Sequence, residues 1–106
     1  MIVVTSESIA NKKIVKTIGL VRGNTVRARH IGKDIMAGLR NIVGGEVHEY
    51  AKLIAESREQ SIDRMVEEAA SLGANAIIAT RFTTSVMMGG AAELLAVGTA
   101  VIVEDD

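Results

Sequence analysis

The feature that most constrains this chain is the stretch from Arg40 to Ile78. A glycine pair, Gly44-Gly45, is followed by about seven turns of amphipathic helix and then by Gly73-Ala74-Asn75-Ala76-Ile77-Ile78. The stripe reads Val47, Tyr50, Ala51, Ile54, Arg58, Ser61, Ile62, Met65, Val66, Ala69 and Leu72. Lys52, Glu56, Glu59, Asp63, Glu67 and Glu68 occupy the opposite, charged face. At ~1.5 Å per residue, about 26 residues span ~39 Å. That outreaches a three- or four-stranded sheet in a domain this small, so part of the stripe is expected to meet another subunit.

The material available for packing around this helix is unusual. Hydrophobic residues make up 48% of 106 residues, but Tyr50 and Phe82 are the sole aromatics. The core must come from Val, Ile, Leu, Ala and Met, packed through close backbone approach, and the 10 glycines suit that. One domain, residues 1–106, is expected. So apolar a chain with so little aromatic bulk is also suited to burying surface by self-association.

The strands are read from alternation. Met1 to Thr5 is a β-branched run read as a short strand, since it lacks the basic flank and long apolar region of a signal peptide. Asn11-Lys12-Lys13 reads as a turn before a strand from Ile14. In that strand Ile14, Lys16, Ile18, Leu20 and Arg22 share one face, and Val15, Thr17, Gly19, Val21 and Gly23 the other. Two glycines on one face imply a closely packed neighbour or a bend. The strand resumes at Thr25 to Arg29. Asp34 can cap a short helix with Ile35, Met36, Leu39, Ile42 and Val43 inward, ended by Gly44-Gly45. Glu46 suits the first turn of the long helix, where amide dipoles favour an acid.

After Gly73 stops that helix, a strand from Ala76 to Val86 sets Ile78, Thr80, Phe82 and Thr84 against Ile77, Ala79, Arg81 and Thr83. Met87-Met88-Gly89-Gly90 forms a hairpin connection. The returning strand, Ala92 to Val103, is almost wholly apolar, so burial on both faces is expected: one against the helix, the other against a neighbouring chain. The fold class is therefore α+β, a curved and mainly antiparallel sheet on one long helix.

Charge is unevenly placed. Residues 11–40 carry Lys12, Lys13, Lys16, Arg22, Arg27, Arg29, Lys33 and Arg40 against Asp34 alone, whereas residues 41–106 carry eleven acids and four bases. The basic stretch has no aromatics for base stacking, so a nucleic-acid partner is not expected. The simpler reading is a basic strand surface facing an acidic helix, within or between subunits. No apolar run reaches the ~18 residues of a membrane span. The absence of cysteine agrees with a cytoplasmic home.

Candidate chemistry is sparse. The histidines, His30 and His48, lack ligand spacing, and there is no thiol, so no cofactor is expected. A metal ion could be held across subunits by His30, Glu46 and His48, although surface histidines without a shared metal are the simpler reading. Glu46, Glu49 and Tyr50 fall within one turn, and Arg40 and Arg58 could approach them. Arg58 interrupts the apolar stripe, and a buried arginine needs a carboxylate, carbonyls or an anion. Gly44-Gly45 and Gly89-Gly90 match no phosphate-cradling pattern and are read as cap and turn. No nucleophile–histidine–acid set exists, so no catalytic residue is assigned.

Gly19-Leu20-Val21-Arg22-Gly23, Leu39-Arg40, Gly44-Gly45-Glu46, Tyr50, Leu72-Gly73-Ala74-Asn75-Ala76-Ile77 and Gly98-Thr99-Ala100-Val101 occur in one order and at characteristic spacings. In this the chain resembles, over nearly its whole length, the YbjQ-like family of small bacterial and archaeal proteins, labelled heavy-metal-binding. The resemblance implies a β-α-β-β domain assembled into a ring, expected to be a homopentamer. Carried over by position, Arg40, Gly44, Gly45, Glu46, Tyr50, Asn75 and Thr99 are the motif residues most able to contribute to a ligand site, and Arg58 joins them from the stripe. The expected function is an oligomeric module binding a small ligand or partner at inter-subunit clefts. Metal-ion binding is the alternative, and an enzyme using Glu46, Tyr50 and Arg40 stands behind both.

Overall fold

A computed structural model describes residues 1–27, 47–87 and 91–106, with the side chains of 27, 47–53, 86–87 and 91–92 outside the description. The elements run β1 (Ile2–Val3), β2 (Lys12–Arg27), α1 (Val47–Ser71), β3 (Ala76–Met87) and β4 (Ala91–Asp105). The four strands form one mixed sheet in the order β1-β3-β4-β2. β1 lies parallel to β3, and the other neighbours are antiparallel. Among the described residues the fold is thus α+β, one long helix on one mixed sheet. The short helix expected before Gly44-Gly45, and those glycines, lie outside the described residues, as does the Gly89-Gly90 part of the hairpin.

The 25 residues of α1 stop where the sequence places the stop. Gly73 takes φ 85°, and its N–H donates to the carbonyl of Ala70 while that of Ala74 donates to Ala69. These two bonds make a Schellman cap, which a residue with a Cβ would strain. The chain then enters β3 through Asn75.

The helix packs through a row of small and flexible residues. Ser57, Ser61, Met65 and Ala69, spaced by four, are fully buried. They face Val21 and Gly23 of β2 and Ala96 and Ala100 of β4. Gly23 allows the approach: a Cβ there would sit 2.2 Å from the Ser61 carbonyl oxygen and 2.4 Å from the Met65 nitrogen. The close neighbour expected at this glycine is α1. Gly19 has a different cause, because a Cβ there would meet nothing within 4 Å. It holds φ 144° beside a register shift between Thr17 and Gly19. Its freedom serves the bulge.

Bulges change which residues share a face. β2 also slips between Ile14 and Lys16, and β3 slips between Ile78 and Arg81, with Ala79 at φ 53°. Strict alternation puts Ile77 and Phe82 on opposite faces of β3. The structure pairs Ile77 with Ala100 and Phe82 with Ala96, so both lie on the helix side. β2 starts at Lys12, not Ile14, and runs unbroken to Arg27.

Both faces of β4 are covered near its end, but not as expected. Val101 and Val103, with Ala76 and Ile78, form a second core packed by Val4 and Ile9. The cover there is the chain's own N-terminal segment, pinned by Ala79 N–H to Ser6 O, Thr80 N–H to Val4 O, and Arg81 Nη1 to Thr5 O. Closure ends there. Leu20 is 67% exposed, Val26 50% and Phe82 41%. The Cα radius of gyration is 17.1 Å, against about 13 Å for a compact domain of this length.

Candidate functional site

Among the described residues, the candidates Tyr50 and Asn75 lie at opposite ends of α1. Arg40, Gly44, Gly45, Glu46 and His30 lie outside the described residues. Tyr50 and His48 sit in the first turn of α1, with side chains outside the description. Asn75 lies beyond its last turn. The helix from Tyr50 to Ser71, twenty-one steps of ~1.5 Å, puts roughly 30 Å between Tyr50 and Asn75. No single pocket within one chain can use both.

Asn75 has a structural task that uses both the nitrogen and the oxygen of its amide. Its Nδ2 donates to Val103 O at 2.9 Å, and its Oδ1 accepts from Val103 N–H at 2.8 Å. The side chain thereby imitates a strand residue and extends the β4 ladder past the end of β3. Thr99 is half-buried in mid-sheet, paired with Ile78 on β3 and Leu20 on β2, on the face away from the helix. Arg58 departs from expectation: its side chain is exposed. Ser57, one residue earlier, takes the buried place in line with Ser61, which the stripe did include, so no buried guanidinium exists there to demand an anion.

The serines of that row form a polar clamp that hydropathy conceals. Thr25 Oγ1 donates to Ser57 O at 3.1 Å and lies 3.0 Å from Ser61 Oγ. Ser61 Oγ reaches Leu94 O at 3.0 Å. One helix row is thus tied to both β2 and β4, with buried hydroxyls satisfied. The available signal was Ser57 and Ser61 at i, i+4 opposite a glycine. Thr80 Oγ1, by contrast, is buried with no hydrogen-bond partner among the described residues.

Two further side chains of α1 reach the free edge of β2. The Arg22 N–H donates to Glu68 Oε2 at 3.3 Å, and Arg64 Nη1 donates to Asn24 O. Edge-strand groups that would otherwise recruit another strand are capped by the chain itself. Among the described residues one ion pair forms, Lys12 with Asp105. The hydrogen bond from Lys12, and then its charge, hold the Asp105 carboxyl below the usual range. The described residues contain no group of three His, Cys, Asp or Glu able to hold a metal ion, and the chain has no cysteine. None of the described helices is long and apolar enough to cross a membrane.

These features define a small α+β helix-on-sheet module whose described residues assemble no catalytic constellation. Residues 1–104 match the family model described as "Putative heavy-metal-binding", and the chain belongs to this YbjQ-like family. It is similar to a UPF0145 protein of Methanosarcina acetivorans, 56% identical over 101 residues, covering 95% of each chain. It is 58% identical over 104 residues to one from Dehalococcoides mccartyi, covering 98% of this chain and 100% of the relative. The fold resembles a crystal structure of a protein of unknown function from Pediococcus pentosaceus, of the DUF74 family, with TM-score 0.61 and 15% identity over 98% of each chain.

Proposed function

We propose that the chain is a non-enzymatic, self-associating module of the cytoplasm, binding a small ligand or partner in clefts between subunits arranged as a ring of five. The observation that carries this reading is the drawn-out subunit, with a radius of gyration of 17.1 Å and apolar Leu20, Val26 and Phe82 exposed. A domain that leaves such surface open gains by covering it with another copy. The separation of Tyr50 from Asn75 supports the same reading, because signature residues at opposite ends of α1 can meet only where two subunits meet. Sedimentation equilibrium or mass photometry tests it: a discrete multimer at micromolar concentration is expected, and a monomer overturns it.

A second reading, metal-ion binding, is favoured by the family description. Its donors would be His30, Glu46 and His48, since the described residues supply no cluster. Calorimetry with divalent ions decides it. Saturable heat abolished by His30→Ala and His48→Ala supports the site, and the absence of such heat removes it.

A further inference from the structure

Several charges of β2 and α1 form no ion pair among the described residues. β2 carries Lys12, Lys13, Lys16, Arg22 and Arg27 and no acid. Lys12 is spent on Asp105, while exposed Lys13, Lys16 and Arg22 make no ion pair with any described residue. On α1, Glu59, Asp63 and Glu67 stand at spacings of four, two positions from the buried row of Ser57, Ser61 and Met65. Two positions turn the helix by about 200°, so this acidic ridge lies directly opposite the sheet. All three are exposed, and none pairs with a described base. Like charges at i, i+4 repel along a helix, so the ridge opposes the helix that carries it.

The two surfaces fit each other in sign and scale. The ridge from Glu59 to Glu67 is about 12 Å long at helical rise, and Lys13 to Lys16 spans about 10 Å at strand rise. The chain holds 12 Lys and Arg against 13 Asp and Glu, so it supplies both halves of the contact itself. The β2 edge is also shut to strand pairing at Arg22 and Asn24 by Glu68 and Arg64. What reaches the edge at those two positions must therefore meet side chains, not the backbone ladder.

We propose that the Lys13–Lys16 stretch of β2, whose two bases share one face, docks in one copy on the Glu59–Asp63–Glu67 ridge of the next. The reading rests on the self-association argued above and adds its seam and its chemistry. A contact between two different patches repeats from copy to copy and can close a ring.

The test is a charge exchange followed by mass photometry, with circular dichroism checking that every variant folds. Lys13→Glu with Lys16→Glu, and separately Glu59→Lys with Asp63→Lys and Glu67→Lys, should each lose the multimer. The chain carrying all five changes should regain it. Raising salt from 0.05 to 1 M, where the Debye length falls to ~3 Å, should weaken wild-type assembly by roughly tenfold or more. A multimer indifferent to both reversals and to salt overturns this seam while leaving self-association standing. Loss in both single-surface variants without recovery in the combined chain also overturns it. A wild-type monomer under every condition overturns the seam and the proposed function together.

Discussion

Replacing Gly23 by alanine should be among the most damaging small changes this chain can suffer. The added methyl would lie 2.2 Å from Ser61 O, 2.4 Å from Met65 N and 2.8 Å from the Cβ of Arg64. The first two are backbone atoms, so no rotamer change relieves the clash. Reaching ordinary contact at 3.4 Å requires α1 to retreat by about 1 Å. Overpacking of this kind costs about 1–3 kcal/mol. The retreat also breaks the clamp. Two hydroxyls can each donate one proton across the interface, Thr25 to α1 and Ser61 to Leu94 O, and each bond is worth about 1 kcal/mol. The total is about 3–5 kcal/mol, a large share of a domain stability of ~5–15 kcal/mol.

Urea unfolding at fixed protein concentration measures this, and the concentration must be fixed because assembly adds to apparent stability. A double-mutant cycle separates the mechanism from generic damage. Ser61→Ala alone should cost about 1–2 kcal/mol, but very little once Gly23→Ala has lifted the helix. Gly19→Ala is the control. It strains a backbone at φ 144° with no neighbour to strike, so its cost of about 1–3 kcal/mol should add fully to that of Ser61→Ala. A Gly23→Ala protein within about 1 kcal/mol of wild type, or full additivity between positions 23 and 61, would refute the reasoning.

Other outcomes follow from single contacts. Asn75→Ala should cost about 1.5–3 kcal/mol by stranding both Val103 backbone groups, read by denaturant unfolding; unchanged stability would reopen a ligand role for this residue. Thr80→Val should be neutral or stabilising by up to about 1 kcal/mol, because it removes a buried hydroxyl without a partner among the described residues; a clear loss would show that the hydroxyl is used. The Asp105 carboxyl should titrate below 3.8 by NMR, and Lys12→Met should move it back up. A depressed folded-state pKa adds stability that is present above the unfolded value and lost as pH falls through the folded one, so the Lys12 contribution should vanish in that acid window.

The sequence announced α1 and its stop because amphipathic period and a glycine cap are local properties. Gly23 was legible too, as a strand glycine asking for a close neighbour. What was illegible has a common cause: it depends on geometry that alternation and hydropathy do not encode. Ala79 takes positive φ without being glycine, so nothing local marks the bulge that brings Phe82 to the side of Ile77. Ser57 and Ser61 count as polar, yet the Ser61 hydroxyl is spent on Thr25 and Leu94 and the Ser57 carbonyl on Thr25, so one turn before Ser61 the row was placed on Arg58, one residue late. The apolar run of β4 correctly implied two covered faces near its end. It could not say that Val4 and Ile9, about 90 residues earlier, would cover one of them.

That last point locates where another copy is needed. Up to Ala79 strands β3 and β4 are covered on both faces, by α1 on one and by residues 4–9 on the other, with Arg81 fastening the strap at Thr5. Past Ala79 the strap is gone, and Val26 and Phe82 stand open, while Leu20, level with Ile78, is exposed on the edge strand beyond the strap. The same end of the sheet carries the close of β2 at Arg27 and the start of β4 at Ala91. Helix α1 runs away from it, since Ser57 lies by Thr25 and Met65 by Gly23. Tyr50 therefore belongs to the open end and Asn75 to the closed one. An assembly that covers Val26 and Phe82 at the open end, and also sets an acidic ridge against Lys13 and Lys16 at the closed end opposite Glu104 and Ile102, satisfies both the stranded apolar residues and the unpaired charges. Burial by a partner with no basic surface would satisfy only the first.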